Sequence, residues 1–229
     1  MNLRKLFFPT RCAICRKVGV GAICPACERA LPFAEEPLHE SADYGRCAAP
    51  LYYEGAVREA LLRFKFYGGT SAAEGFGALM ARCVAENLSG EFDTVTWVSV
   101  SKKRRRGRGY DQSRLLAEEM CSLWDTKPVP LLRKTVDTPA QSSLTDPVQR
   151  RGNVFGVYEI ADPERVRGAR ILLVDDIMTT GATLGECVRV LKEGGAGSVV
   201  CAALAAPRRT DGGSEKSRKS SCKSPGKSV

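Results

Sequence analysis

Ile171-Leu172-Leu173-Val174-Asp175-Asp176-Ile177-Met178-Thr179-Thr180-Gly181-Ala182-Thr183 is the stretch whose reading decides the fold. Its opening run of branched apolar residues predicts a strand buried on both faces, the habit of parallel strands in an α/β sheet. Ligands of open α/β sheets bind beyond the carboxyl ends of the strands, and Asp175 and Asp176 fall there. The turn that follows can aim backbone N–H groups and threonine hydroxyls at one point, at the positive end of a helix beginning near Ala182. Such a nest suits a phosphate monoester. Carboxylates repel phosphate but accept hydrogen bonds from vicinal hydroxyls, so two acids followed by an amide cradle fit a ribose 5-phosphate. No Gly-x-x-x-x-Gly-Lys-[Ser/Thr] string occurs in the chain, which excludes a Walker-type nucleotide loop.

Working outward from this motif, residues 198–205 read as a closing strand after a helix over 182–192 that ends at Gly194-Gly195. Upstream, residues 94–100 predict another strand, followed at its carboxyl end by Ser101-Lys102-Lys103-Arg104-Arg105-Arg106-Gly107-Arg108-Gly109. Taken alone, that basic run reads as a solvated loop or a localisation signal; beyond the end of a strand it faces the same ligand edge as Asp175. Tyr110-Asp111-Gln112-Ser113 starts a helix, with Asp111 as N-cap and Leu115, Leu116 and Met120 inward. Two further helices are predicted over Gly55–Phe66, stopped by Gly68-Gly69, and over 70–88. Residues 133–152 carry Lys134, Thr138, Gln141, Arg150 and Arg151 among two prolines and few apolar residues, and read as a polar loop. A loop of that length in a compact domain is disordered or a functional lid, and its polar, basic content favours a lid, with Arg133, Thr138, Gln141 and Arg151 over the site. A strand is expected to resume over 153–160.

Four of the ten cysteines fall in Cys12-Ala-Ile-Cys15 and Cys24-Pro-Ala-Cys27. Two Cys-x-x-Cys knuckles turn four thiolates toward a common point, the ligand set of a closed, structural zinc ribbon. The alternatives are a redox dithiol or a disulfide pair, but a thioredoxin-like motif needs a βαβ context that this Pro/Gly-rich stretch lacks. Cys47 has no partner nearby in sequence and reads as a free thiol. Cys83, Cys121, Cys187 and Cys201 lie on apolar faces and read as packing residues. His39, the only histidine, sits in an acidic, Pro-bounded segment and is expected to be solvated.

The chain of 229 residues, 43% hydrophobic, can bury one good core plus a small appendage. Its expected organisation is a Cys₄ ribbon and linker over 1–50, an α/β domain over 51–209, and a disordered basic tail over 210–229. A net charge of +9 favours polyanionic ligands, either phosphorylated small molecules or nucleic acid. The apolar run near the start, Leu6-Phe7-Phe8, is far shorter than a signal-peptide core, and no stretch approaches the ~20 apolar residues of a membrane span. A cytoplasmic protein with reduced or metal-bound thiols is expected. Oligomeric state is left open.

The 171–183 segment resembles the phosphoribosyl-pyrophosphate (PRPP) loop of type I phosphoribosyltransferases: apolar strand, two acids, two variable residues, then Thr-Thr-Gly-x-Thr. The Cys₄ ribbon, Tyr52-Tyr53-Glu54-Gly55, Leu62-Arg63-Phe64-Lys65-Phe66, Arg108-Gly109-Tyr110-Asp111-Gln112, Thr138-Pro139-Ala140-Gln141 and Arg150-Arg151-Gly152-Asn153-Val154 resemble, in that order, the bacterial ComF family. The resemblance implies a type I phosphoribosyltransferase fold, a mostly parallel sheet flanked by helices, behind a double zinc ribbon. It implies PRPP binding by Asp175, Asp176, Thr179, Thr180, Gly181, Ala182 and Thr183, with pyrophosphate on a loop of Ser101, Lys102, Lys103 and Arg104. Mg²⁺ would travel on the pyrophosphate. Partners implied are single-stranded DNA and DNA-uptake proteins in natural competence. Asp111, where the family more often has Asn, and the single ribbon near Cys47 depart from the pattern. No general base is identified, so a phosphoribosyltransferase competes with a non-catalytic PRPP sensor or DNA-binding scaffold.

Overall fold

The computed structural model describes residues 10–137 and 155–208. Strands β1 (Leu38–Ser41), β2 (Gly45–Ala48), β3 (Leu51–Tyr52), β4 (Thr94–Trp97), β7 (Arg170–Ile177) and β8 (Ser198–Ala206) form one sheet in the order β1-β2-β8-β7-β4, with β3 also on β8. All pairings are parallel except β1 with β2. Strands β5 (Leu132–Lys134) and β6 (Tyr158–Ile160) make a separate antiparallel pair, and a short helix, α6 (Pro163–Val166), leads from β6 to β7.

The motif strand β7 lies between β4 and β8, and Ile171 through Asp176 are all buried. Its side chains alternate between two cores, as the period of a strand demands. Leu172 and Val174 point to the face covered by helices α2 (Gly55–Phe66), α3 (Ala73–Asn87) and α5 (Gln112–Leu123), where Phe64, Phe76, Met80 and Leu116 pack. Ile171 and Leu173 point to the other face, covered by helix α7 (Ala182–Glu193) through Leu184, Cys187 and Leu191. At ~25 cal/mol per Å² of apolar surface, these two layers supply most of the folding drive, and the continuous apolar runs of β7 and β8 are their sequence signature.

Several expected elements fall where the sequence put them, including α2, α5 with Asp111 as its cap, α7 and β8. Three segments differ. The stretch expected as a linker carries β1 and β2, and Cys47 of β2 pairs in register with Cys201 of β8. Short strands with charged residues lack a strong period, so only pairing, of β2 to β8 and of β1 to β2, reveals them. His39 lies on β1 and is buried rather than solvated. Secondly, the basic run is not a loop but a helix, α4 (Lys102–Arg108). Ser101 Oγ accepts from the Arg104 N–H at 3.2 Å, and Gly109 closes the other end with φ +82°, its N–H donating to the Arg105 carbonyl at 2.8 Å. Lys and Arg are good helix formers, and cap plus left-handed glycine were readable signals. Thirdly, the expected lid begins with β5, so Arg133 is a strand residue paired with Glu159 at 2.9 Å. Thr138, Gln141 and Arg151 lie outside the described residues, as does the tail expected over 210–229.

The cysteine ribbon is not a separate unit. Cys12, Ala13, Ile14 and Cys24 belong to the same core as Val57, Phe64 and Phe76, and Arg63 of α2 donates to the Ile14 carbonyl at 2.6 Å. Helix α1 (Pro25–Arg29) starts from the second knuckle. No described helix is long and apolar enough to cross a membrane.

Candidate functional site: an acid pair, a cationic wall and a four-cysteine centre

The parallel pairing of β4 with β7 sets Trp97 opposite Val174, and the Val98 N–H donates to the Val174 carbonyl at 2.9 Å. The chain leaving β4 therefore runs beside Asp175 and Asp176. Between them opens a cleft of about 330 Å³, within the range of ligand sites. It is lined by both acids and the whole turn from Thr179 to Thr183. Gly181 holds the turn with φ +75°, and a Cβ there would strike the Tyr44 ring, so a side chain is excluded twice over. Helix α7 begins at once, and its first residues, Ala182, Thr183 and Leu184, line the cleft.

The two acids are held differently. Asp175 Oδ1 accepts from Ser113 Oγ at 2.9 Å and from the Asp176 N–H at 2.8 Å. Burial, and then the neighbouring charge of Asp176, raise the Asp175 carboxyl to about 7 against the opposing pull of Lys65 and these hydrogen bonds. Asp176 takes Lys65 Nζ at 3.0 Å. Burial alone would lower the Lys65 pKa, but Asp176 and Asp175 outweigh it and hold the ammonium above its ordinary value.

Lys65 is held in turn by the segment after the basic helix. Tyr110 Oη donates to the Phe64 carbonyl at 2.6 Å, Gln112 Nε2 to the Lys65 carbonyl at 3.3 Å, and Arg108 Nη1 to Gln112 Oε1 at 3.1 Å. Asp111 accepts from the Val100 N–H at 3.0 Å; burial raises its pKa despite that bond. The Arg108-Gly-Tyr-Asp-Gln string is thus a clamp that ties α2 to the end of β4.

Five cations, Arg58, Lys65, Arg104, Arg108 and Lys134, line the cleft against two acids. Burial followed by the Arg104 charge lowers the Lys134 pKa, and burial with Arg104 does the same for Arg108. Mutual repulsion of this kind is relieved by an anionic ligand. Of the expected pyrophosphate loop, Arg104 lines the cleft while Lys102 and Lys103 are exposed, with Lys103 paired to Asp137 at 3.7 Å. Ser101 is buried as the helix cap, its hydroxyl also bonded to Asp137. Sequence reasoning missed Lys65, Arg108, Lys134 and Ser113 as site residues. A helical period through the basic run would have placed Arg104 and Arg108 on one face; Lys65 and Ser113 reach the acids only through the tertiary fold.

In the ribbon, the Sγ atoms of Cys12, Cys15, Cys24 and Cys27 all lie within 4.8 Å of one another, and Cys15 and Cys24 are 3.8 Å apart. Zinc–sulfur bonds of ~2.3 Å in a tetrahedron need sulfurs ~3.8 Å apart, so the group fits a structural zinc. Burial opposes ionisation of Cys12, yet the N–H groups of Cys24, Cys15 and Ile14 together bring it to about 6. Burial and the neighbouring thiols push Cys27 up to about 12, the response of four sulfurs gathered at one point.

An acid pair at the end of a central parallel strand, an N–H turn opening a helix and a cationic wall define a phosphoribosyltransferase-type domain. The phosphoribosyl transferase domain family matches residues 77–227, and the double zinc ribbon domain family matches 3–59. Competence protein ComFC of Bacillus subtilis (strain 168) is 26% identical over 185 residues, covering 80% of this chain and 72% of that protein. DNA utilization protein YhgH of Salmonella typhi is 29% identical over 111 residues, 47% of this chain and 46% of the relative; its counterpart in Escherichia coli (strain K12) is 30% identical over 112 residues, with the same coverage. The match thus spans about half the length of the YhgH proteins. The chain belongs to the ComF family. Among solved structures, the allosteric regulatory enzyme of purine biosynthesis aligns with TM-score 0.39 at 20% identity over 62% of this chain and 30% of that one. TT1426 from Thermus thermophilus aligns with TM-score 0.35 at 20% identity over 58% and 74%. Although the ribbon family is a double one, the described residues hold one four-cysteine group; the region after it carries β1 and β2, with Cys47 buried among apolar side chains.

Proposed function

We propose that the chain binds PRPP in this cleft and, as a phosphoribosyltransferase-like protein of the cytoplasm, serves the uptake or handling of single-stranded DNA. The observation that carries the ligand is the placement of Asp175 and Asp176 between the 179–183 turn and the cationic wall. The 5-phosphate meets the N–H groups of the turn, the ribose hydroxyls meet the acids, and the diphosphate meets Arg104, Arg108, Lys65 and Lys134. Mg²⁺ would be carried by the diphosphate, held through Asp175 and Asp176, and would neutralise charge on the leaving group. The names of the ComFC and YhgH relatives support the DNA role, and the net charge of +9 suits it.

A second reading, a PRPP sensor or scaffold without turnover, is favoured by one observation. No histidine and no acid beyond Asp175 and Asp176 lines the cleft among the described residues, and both of those are already engaged by Ser113 and Lys65. Calorimetry with PRPP and Mg²⁺ tests the shared core of both readings. Replacing Asp175 and Asp176 with Asn should weaken binding by ~1–3 kcal/mol, the worth of charge-assisted contacts; wild-type affinity in that variant would refute the assignment of these acids. Pyrophosphate release from PRPP with a panel of nucleobases then separates enzyme from sensor.

A further inference from the structure

Helix α4 has a hollow on each side. Arg104 and Arg108 face the PRPP cleft, whereas Arg105 lines a second groove of about 790 Å³ together with Arg114 and Lys127. The apolar wall of this groove is Trp97 with Pro128 and Pro130. Arg105 and Lys127 are exposed and take part in no salt bridge among the described residues. Arg114 is paired with Glu118 at 2.8 Å, and its guanidinium lies over the Trp97 ring, 5.7 Å from the centroid. That pairing leaves two cations against the one remaining acid of the groove, Asp125. Lys102, Lys103 and Arg106, exposed on α4, extend the positive surface beyond it.

The groove borders β4, the last strand of the sheet, but the edge of β4 is already covered there. The Val129 N–H donates to the Val95 carbonyl at 2.8 Å, and the prolines on either side of Val129 have no N–H to offer. An extended peptide would find no strand edge to pair with. A phosphodiester chain needs none, only cations for its phosphates and flat surfaces for its bases. A tether joins this groove to the cleft. Buried Asp111 accepts from the Val100 N–H at 3.0 Å and from the Arg114 N–H at 3.3 Å, and the Trp97 side chain also bonds to it. Val98, Ser99 and Val100 line the cleft, while Trp97 and Arg114 line the groove.

We propose that the groove holds single-stranded nucleic acid, with phosphates on Arg105 and Lys127 and a base against the Arg114 guanidinium and the proline wall, and that its occupancy is linked to PRPP binding through Asp111. The nucleic-acid site stands on its own residues; the linkage rests on the PRPP reading of the cleft. Ordering of residues 98–100 by PRPP fixes Asp111, and with it Trp97 and the first turn of α5. The second ligand then has less left to order, so the two bind with positive cooperativity.

The experiment titrates the full-length, zinc-loaded protein with fluorescein-labelled oligo-dT by anisotropy, with and without PRPP and Mg²⁺. Arg105→Gln combined with Lys127→Gln should weaken the oligonucleotide about tenfold. Arg16→Gln with Lys17→Gln, two exposed cations of the ribbon, should weaken it far less. PRPP should tighten the oligonucleotide about fivefold, and the oligonucleotide should tighten PRPP by the same factor. Asp111→Asn should bring both factors close to one; if that variant does not fold by circular dichroism and zinc content, Trp97→Phe, which removes the indole N–H, takes its place. A 5-iododeoxyuridine oligonucleotide should crosslink to groove peptides, mapped by mass spectrometry. Equal losses in the two double variants, or crosslinks only outside the groove, would overturn the nucleic-acid site. Competition by thymidine monophosphate or by a poly-glutamate peptide as effective as that by oligo-dT would overturn it in favour of a small anion or an acidic protein segment. Identical oligonucleotide affinity with and without PRPP, or a full factor persisting in the Asp111 variant, would defeat the linkage. If PRPP does not bind at all, the reading of the acid pair falls and the linkage with it, and the titrations without PRPP still decide the groove.

Discussion

Lys65, in the last turn of α2, and Asp176, at the end of β7, stand 111 residues apart in sequence and close an ion pair of 3.0 Å in the floor of the cleft. The pair joins the ribbon side of the molecule to the phosphoribosyltransferase motif. Asp176 is buried, and Lys65 keeps 29% of its side chain accessible, so the contact lies between a buried and a surface salt bridge in strength.

Lys65→Met keeps the length of the side chain and leaves Asp176 without its cation. Deleting one partner of a fully buried pair costs ~3–5 kcal/mol; with Lys65 partly hydrated, about 2 kcal/mol is expected. Urea denaturation checks it. An unchanged midpoint would mean that water already screens Asp176. PRPP affinity should fall as well, because the variant cleft has one cation fewer for the diphosphate.

Asp175 gives a pH signature of known sign. Its carboxyl is raised by burial and by Asp176 from 3.8 to about 7, so between those values the native state holds a proton that the unfolded chain has released. Its stabilising contribution is complete below about pH 4, declines as pH rises through the folded value, and levels off above it, with a slope of at most ~1.4 kcal/mol per pH unit for one proton. Asp175→Asn should flatten that part of the profile. Thermal unfolding of both proteins from about pH 4.5 to 8 measures the difference, and parallel curves would assign the titration elsewhere.

The four-cysteine centre should hold about one zinc per chain in protein purified reduced and without chelator, as read by elemental analysis. Because Cys12 and Ile14 share a core with α2, Cys12→Ser should do more than loosen the ribbon. It should lower the melting temperature and, through Arg63 and α2, weaken PRPP binding. Melting and binding unchanged in zinc-free protein would make the ribbon an independent appendage.

The basic helix divides its cations between two faces. Arg104 and Arg108 face the cleft; Lys102, Lys103, Arg105 and Arg106 face solvent. Replacing the inner pair with Gln should reduce PRPP affinity by about tenfold or more and change DNA binding little. Replacing the outer four should lower the slope of log affinity for single-stranded DNA against log salt, by up to ~0.7 for each phosphate no longer neutralised. Equal effects of both sets on both ligands would contradict the division.

The site was legible where chemistry and local order coincide. Asp175, Asp176 and the 179–183 turn are contiguous, so one strand, one turn and one helix start place them without help from the rest of the chain. The four cysteines were legible for the same reason, since two short knuckles carry their own geometry. The basic run was located but given the wrong backbone: attention to its charge hid the Ser101 cap and the Gly109 stop. The strands β1 and β2 were not legible, because four-residue segments holding Glu40 and Arg46 have too little apolar period to announce themselves, and only the pairing of β2 to β8 and of β1 to β2 makes them strands.

What the sequence alone determined about this protein is the local part: a buried strand ending in two acids, an N–H cradle, a thiolate set and an excess of positive charge. These follow from residue type and spacing over a dozen positions, where covalent connectivity limits the geometry. Only the tertiary structure decided which groups face those acids. Lys65, Ser113, Arg108 and Lys134 come from four different elements and converge because the sheet order and the packing of α2 and α5 bring them there. Long-range convergence has no period along the chain; it is set by the burial of two hydrophobic faces against one sheet, which no window of sequence contains.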